Sequence, residues 1–250
     1  MERNKIYFAS DLHLGSNVLS DSRETERKFV HWLDEIKKDA KILYLLGDVF
    51  DFWFEYKKVV PRGFVRFLGK IAELNDAGVE IHFFTGNHDI WIFDYLPDET
   101  GVIVHKDPIT VNHDGKVFFL AHGDGLGDNS RAFKLIRSVF HNQFCQGIFS
   151  LLPTRWGIGL AQKWSKSSRK KGLSETPEYL GEDKEHLILF AKKYLKEHPE
   201  IDFFVFGHRH IMLDLMLNHK SRILILGDWI RHFSYAVFDG EELKLDIFED

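Results

Sequence analysis

The chain predicts an α/β sandwich of two mixed β-sheets with helices on the outside. Short apolar runs alternate with amphipathic helical patterns, the order that produces parallel strands joined by crossover helices. A hairpin and a C-terminal group of strands add antiparallel neighbours, so the sheets are mixed.

The elements follow in order. "KIYFAS" from Lys5 is a β-rich run, and "SRETERKFVHWLDEIKKDA" places Phe29, Trp32, Leu33 and Ile36 on one helical face, with Asp21 or Ser22 as N-cap. "KILYLLG" from Lys41 is the second run. "RGFVRFLGKIAELNDAG" carries Phe64, Phe67, Leu68 and Ile71 and stops at Gly78. "EIHFFTG" from Glu80 is the third run, and "ITVNHDGKVFFLAHG" reads as a hairpin turning near Asp114-Gly115. "EDKEHLILFAKKYLKEHP" is a helix closed by Pro199, followed by "IDFFVFG" from Ile201. "RILILGDW", "SYAVFDG" and "LKLDIFE" complete the strands, with a turn at Asp239-Gly240.

Composition is that of a globular protein, with 250 residues, 44% hydrophobic, 28% charged and a net charge of -5. The single cysteine, Cys145, excludes an intramolecular disulfide and a cysteine-based zinc site. The N-terminal apolar stretch is too short for a signal peptide, and no run is long enough to span a bilayer, so the expected compartment is the cytoplasm.

Residues 129 to 171 break the pattern, with nine Lys or Arg and no Asp or Glu. Removing those nine charges from -5 leaves -14 on the rest of the chain, which argues against a nucleic-acid partner. The segment is also rich in Phe, Leu, Ile and Trp. It reads as a helical lid inserted at about 129–175 into one domain spanning 1–250.

Five apolar runs end alike, in Asp11-Leu12-His13, Asp48, Asn87-His88-Asp89, His122-Gly123-Asp124 and His208-Arg209-His210. Functional groups in parallel α/β sheets collect beyond the carboxyl ends of strands. If the five runs are neighbours, Asp11, His13, Asp48, Asn87, His122, His208 and His210 converge. Mixed N and O ligands suit Mn, Fe, Co, Ni or Zn, and seven ligands are too many for one ion. Divided over two ions with one carboxylate shared, they form a two-metal site. Asp11 and His13, like His208 and His210, point the same way if the chain there is extended. Gly47, Gly86, Gly123 and Gly207 let backbone pass close to an ion or phosphate.

This ordered series, Asp-x-His, Gly-Asp, Gly-Asn-His-Asp, His-Gly and Gly-His-x-His, resembles that of the calcineurin-like metallophosphoesterases over nearly the whole chain. The resemblance implies that Asp11, His13, Asp48 and His210 hold one divalent ion. Asp48, Asn87, His122 and His208 hold the second, with Asp48 bridging. It also implies a catalytic His88 facing the substrate phosphoryl group, oriented by Asp89. Mn²⁺ is the expected ion, with Fe or Zn as alternatives.

The aromatic stretch "GDVFDFWFEY", the basic insertion and "LILGDW" resemble UDP-2,3-diacylglucosamine diphosphatases of lipid A biosynthesis. Many of those carry Arg where this chain has His88. This resemblance implies hydrolysis of an acylated sugar nucleotide to UMP and 2,3-diacylglucosamine 1-phosphate, with Lys163, Lys166, Ser168 and Arg169 contacting substrate. Apolar lid residues suit acyl chains, and the basic ones suit a diphosphate or an anionic bilayer. The expected location is peripheral, on the cytoplasmic face of the inner membrane. The alternative is a soluble phosphatase or phosphodiesterase acting on another phosphoester. The oligomeric state is not set by these features.

Overall fold

Side chains that alternate along a strand need two apolar surroundings when both faces are covered. In β1 (Lys5–Ala9), Ile6 and Phe8 enter one core while Tyr7 and Ala9 enter another. The same division recurs in β2 (Ala40–Leu46), β3 (Glu80–Phe84), β6 (Lys116–Ala121), β7 (Phe203–Phe206) and β9 (Arg222–Leu226). This explains their nearly continuous hydrophobicity. The computed structural model describes residues 3–16, 21–127, 138–140, 142–154, 156, 159 and 178–249.

The first sheet has the order β11-β10-β1-β2-β3-β4, with β4 at Ile103–His105, β10 at Ser234–Phe238 and β11 at Leu243–Ile247. Strands β1 to β4 are parallel, and β10 is antiparallel to both β1 and β11. The second sheet has the order β5-β6-β7-β9-β8, with β5 at Ile109–His113 and β8 at Met212–Met216. Here β6, β7 and β9 are parallel, and β5 and β8 form antiparallel edges. The two sheets are mixed, as expected.

Phe8, Tyr44, Phe118, Leu120, Phe203, Val205, Leu224 and Phe238 fill the space between the sheets. Helices α1 (Ser22–Ile36) and α2 (Val65–Asp76) cover the first sheet with Phe29, Trp32, Leu33, Phe67 and Ile71. Burial of each such side chain contributes about 1.5–3 kcal/mol. Asp21 is the N-cap of α1, accepting the Arg23 N–H at 2.9 Å. The second sheet is covered by a helix at His186–Tyr194 through Leu187, Ile188 and Ala191. That helix ends before Pro199, and turns occupy the remainder.

The β5–β6 hairpin turns at Asp114 (φ 51°) and Gly115 (φ 81°), the pair of positive φ angles that fits strand twist. Strands β4 and β8 and helix α3 (Tyr95–Thr100) are additions to the sequence reading. Within the predicted insertion, the structure describes a helical stretch at 138–140 and α4 (Gln143–Ser150), capped by the Asn142 side chain. The His186–Tyr194 helix is α5.

Candidate active site

The carboxyl ends of β1, β2 and β3 meet those of β6 and β7 across the seam between the sheets. The predicted residues therefore converge from two sheets rather than as neighbours in one. Beyond β1 and β2 the main chains stay paired: Asp11 N–H donates to Gly47 O at 3.1 Å, and His13 N–H donates to Asp48 O at 2.9 Å. The chain there is not extended as the sequence argument supposed. Asp11, His13, Asp48, His208 and His210 all adopt left-handed conformations, with φ between 48° and 69°. They are five of the eight non-glycine residues with positive φ among the described residues. Each such residue costs on the order of 1 kcal/mol. Convergence comes from tight turns, so alternation along a strand is not its cause.

The donor atoms lie close together. His13 Nε2 is 3.3 Å from His210 Nε2 and 3.7 Å from Asp11 Oδ1, and His210 Nε2 is 3.5 Å from Asp11 Oδ1. Asp48 Oδ2 is 3.7 Å from His13 Nε2 and 3.4 Å from His122 Nε2, so it stands between two groups of possible metal-binding side chains. Asn87 Oδ1 is 3.4 Å from His122 Nε2, and the His208 ring stands edge-on to His122 with centroids 5.1 Å apart. Tautomers follow from the other ring nitrogens. His122 Nδ1–H donates to Leu46 O at 2.8 Å, and His210 Nδ1–H donates to Asp228 Oδ2 at 3.1 Å. Both leave Nε2 facing the cluster.

Two glycines make this packing possible. A Cβ on Gly86 would collide with the Asp48 carboxyl group, and one on Gly47 would stand 2.6 Å from His122 Nδ1. Both glycines leave room for the Asp48 and His122 side chains.

Asp11 is wholly buried, and its Oδ1 has no hydrogen-bond partner among the described residues. Atoms coordinated to one ion at about 2.0–2.2 Å stand roughly 3.0–3.5 Å apart, close to the separations here. The residues therefore fit divalent cations. The electrostatics agree. Burial pushes Asp11 above its ordinary pKa. Burial would raise Asp48 too, but His122, His88 and His13 hold it well below the carboxylate range. His122 is raised well above its ordinary value, with Asp48 prevailing over burial. His208 goes the other way, kept neutral by burial and by His122. Buried carboxylates this close together need positive charge, which protons on imidazoles supply when no cation does.

His88 lies at the edge of this cluster, its ring at 89° to that of His13 with centroids 4.9 Å apart. Its Nδ1–H donates to Asp51 O at 3.0 Å, which leaves Nε2 as the acceptor nitrogen of the ring. Asp89 does not orient it. Asp89 Oδ2 accepts the N–H groups of Val49 and Phe50 at 2.8 and 3.2 Å, and Oδ1 accepts that of Gly86 at 2.7 Å. The expected role is corrected: adjacency in sequence did not become contact, because the turn directs Asp89 back beneath the β2 loop. Burial and Asp48 raise its pKa to about 7.

Two residues escaped the sequence reading. Asp51 has its carboxylate 3.7 Å from His88 Nδ1 and 4.0 Å from His13 Nδ1. Asp228 holds His210. Its signal was visible, since Gly227-Asp228 ends β9 as Gly47-Asp48 ends β2.

A profile of the calcineurin-like phosphoesterase family matches residues 4–212. The chain belongs to that family. This phosphoesterase is 48% identical to the UDP-2,3-diacylglucosamine hydrolase of Porphyromonas gingivalis over 99% of each chain. It is 28% identical to the protein of that name from Haemophilus influenzae, over 98% of each. Yfce, a phosphoesterase from E. coli of known structure, aligns with 97% of this chain and 92% of its own at a TM-score of 0.46 and 13% identity.

In this phosphoesterase the aromatic stretch after Asp48 divides in two. Phe50 and Trp53 join the core beside Phe64, while Phe54 packs on Phe149 of α4 at 4.8 Å. Trp91 also meets Phe149, and its Nε1–H donates to Phe140 O at 2.9 Å. The described part of this segment thus packs on Phe54 and Trp91, and Phe144 (76% exposed), Leu151 (82%) and Trp156 (70%) face outward. Lys163, Lys166, Ser168 and Arg169 lie outside the described residues.

Proposed function

We propose that this phosphoesterase hydrolyses UDP-2,3-diacylglucosamine to UMP and 2,3-diacylglucosamine 1-phosphate, a step of lipid A biosynthesis. The observation carrying this reading is the 48% identity, end to end, with a hydrolase of that name. The clustered Asp and His residues supply the chemistry the reaction needs.

Asp11, His13, Asp48 and His210 would hold one divalent cation, and Asp48, Asn87, His122 and His208 the other, with Mn²⁺ the preferred ion. Bound there, two cations neutralise phosphoryl charge and lower the pKa of attacking water. The chain does the rest. Asp228 and the Leu46 carbonyl fix the tautomers of His210 and His122. The Asp51 carbonyl fixes Nδ1–H of His88, so Nε2 meets a phosphoryl oxygen and, when protonated, shares its proton with the developing charge or the leaving oxygen. The left-handed turns hold the ligands before substrate arrives, which removes reorganisation from the chemical step.

Acyl chains would lie along the apolar side of α4 and the Trp91–Phe54 shelf, with Lys163, Lys166, Ser168 and Arg169 as the substrate contacts nearest the diphosphate. The exposed Phe144, Leu151 and Trp156 suit the cytoplasmic face of the inner membrane. No helix among the described residues is long and apolar enough to cross a membrane.

A mass-spectrometric assay tests the reading. Protein with Mn²⁺ and UDP-2,3-diacylglucosamine should release UMP and the acylated sugar phosphate, and Asp48→Ala should release neither. Turnover of only a generic aryl phosphodiester would refute the substrate and favour the soluble phosphodiesterase.

A further inference from the structure

Between the two imidazoles at the end of β7 stands Arg209, which points away from the site. Its Nε–H donates to Glu185 Oε1 at 2.5 Å and its Nη2–H to Glu185 Oε2 at 3.2 Å, a two-pronged pair. Nη2 also reaches the Glu178 carbonyl at 3.4 Å. Glu185 is wholly buried. It is the N-cap residue of α5, yet its side chain caps no helix amide. A buried carboxylate that does not cap its helix needs another hydrogen-bonded partner to hold.

What it holds is a strained turn. His208 and His210 have φ of 69° and 51°, and Arg209 N–H donates to Gly207 O at 2.8 Å within the turn. On the inner side the turn is fixed by His208 N–H to Asp11 Oδ2 at 2.9 Å and Gly207 N–H to His122 O at 3.0 Å. Asp228 holds the His210 ring, and on the side away from the site the side-chain bonds of Arg209 tie the turn to Glu185 and Glu178. Glu178 to Glu185 is the stretch that returns from the insertion to α5, with Glu185 N–H donating to Gly181 O at 2.9 Å. One guanidinium therefore joins the insertion's return, the start of α5 and the turn that carries two ligands.

We infer that Arg209, through Glu185, is a positioning residue that sets the angle at which His208 and His210 present their nitrogens, and so sets cation affinity. The inference rests on the proposed ligand assignment. Planarity is what matters: a lysine keeps the charge but cannot match both carboxylate oxygens.

The test uses full-length protein stripped by chelator. Mn²⁺ binding is measured by calorimetry, and thermal unfolding is measured before and after loading, for wild type, Arg209→Lys and Glu185→Gln. Loss of a partner behind a ligand weakens metal binding by roughly 10–100-fold. Arg209→Lys should show a loss of that order for at least one cation. Its stripped form should unfold near the wild-type temperature, and excess Mn²⁺ should restore turnover. Glu185→Gln, which keeps one acceptor oxygen, should show a smaller loss in the same direction and covers the case in which Arg209→Lys does not fold. Wild-type Mn²⁺ affinity in either variant, whatever happens to the stripped protein's unfolding, would overturn the inference. A wild type that binds no Mn²⁺ would overturn the ligand assignment first.

Discussion

Oδ2 of Asp228 accepts the Nδ1–H of His210 at 3.1 Å. The other oxygen of the same carboxylate accepts the amides of Ile230, Arg231 and His232 at 3.1, 2.7 and 3.1 Å. One side chain thus folds the β9 loop and aims a ligand. Burial would raise its pKa, but His210, His232 and the Arg231 amide hold it far below the carboxylate range. Asp228→Asn should weaken Mn²⁺ binding roughly 10–100-fold in calorimetry. Asp228→Ala should in addition destabilise the protein by about 1 kcal/mol in urea unfolding, because three half-buried amides lose their acceptor.

His88 and Asp89 are adjacent, and their variants should fail differently. His88→Ala removes the group proposed to face substrate, and should lower kcat by roughly 10²–10⁴ with an unchanged melting temperature. Asp89→Asn puts a donor against Val49, Phe50 or Gly86 amides, and should destabilise by about 1–3 kcal/mol. Parallel kinetics and thermal unfolding separate the two. Equal loss of stability in both variants would refute the division of roles.

Gly86→Ala is the smallest change with the largest predicted effect. The added methyl group meets the Asp48 carboxyl group and main chain, and Asp48 is the residue between both ligand groups. Displacing it by an ångström should reduce kcat/KM on the order of 100-fold. Circular dichroism should show the secondary structure retained.

A second histidine cluster lies away from the site, where β3, β4 and β5 meet the edge of the inter-sheet core. His82 Nε2–H donates to Glu80 Oε1 at 2.6 Å, and His105 Nε2–H donates to His82 Nδ1 at 2.8 Å. Tyr44 OH donates to His113 Nε2 at 2.9 Å. Burial lowers the pKa of His105 and of His113. Between those lowered values and the ordinary one of about 6.5, the unfolded chain binds more protons than the native one. The stability these groups contribute is therefore whole above about pH 6.5 and declines as pH falls below it. A His105→Phe/His113→Phe variant should lose less melting temperature than wild type between neutral and mildly acidic pH. A steeper loss in the variant would reverse the sign and refute the argument.

Residue type at strand ends was the most legible feature, because Asp, Asn and His are costly beside buried apolar runs unless something binds them. Asp11, His13, Asp48, Asn87, His122, His208 and His210 were found that way. Strand identity was legible for the same runs, since both faces are buried. Partnership was not. That β1 pairs with β10 joins residues more than 220 positions apart, and no local pattern encodes it. Roles behind the ligands were also hidden. Asp89, Asp228 and Glu185 look alike in sequence, yet they hold amides, amides with an imidazole, and a guanidinium. Strand β8 escapes the sequence reading although four of its five residues are apolar, because Asp214 interrupts the run and it follows closely on His208-Arg209-His210, which reads as a strand end.

The seam between the sheets has a temporal consequence. Asp11, Asp48 and Asn87 follow strands of the first sheet, and His122, His208 and His210 follow strands of the second. During synthesis the carboxylates leave the ribosome well before the last two imidazoles. One edge of β1 also stays unpaired until Ser234–Phe238 has been made. The proposed ligand set is therefore complete only once His210 has been made, and the edge of β1 is paired later still. The group of side chains thus forms late in synthesis, drawing on strands made early and strands made late.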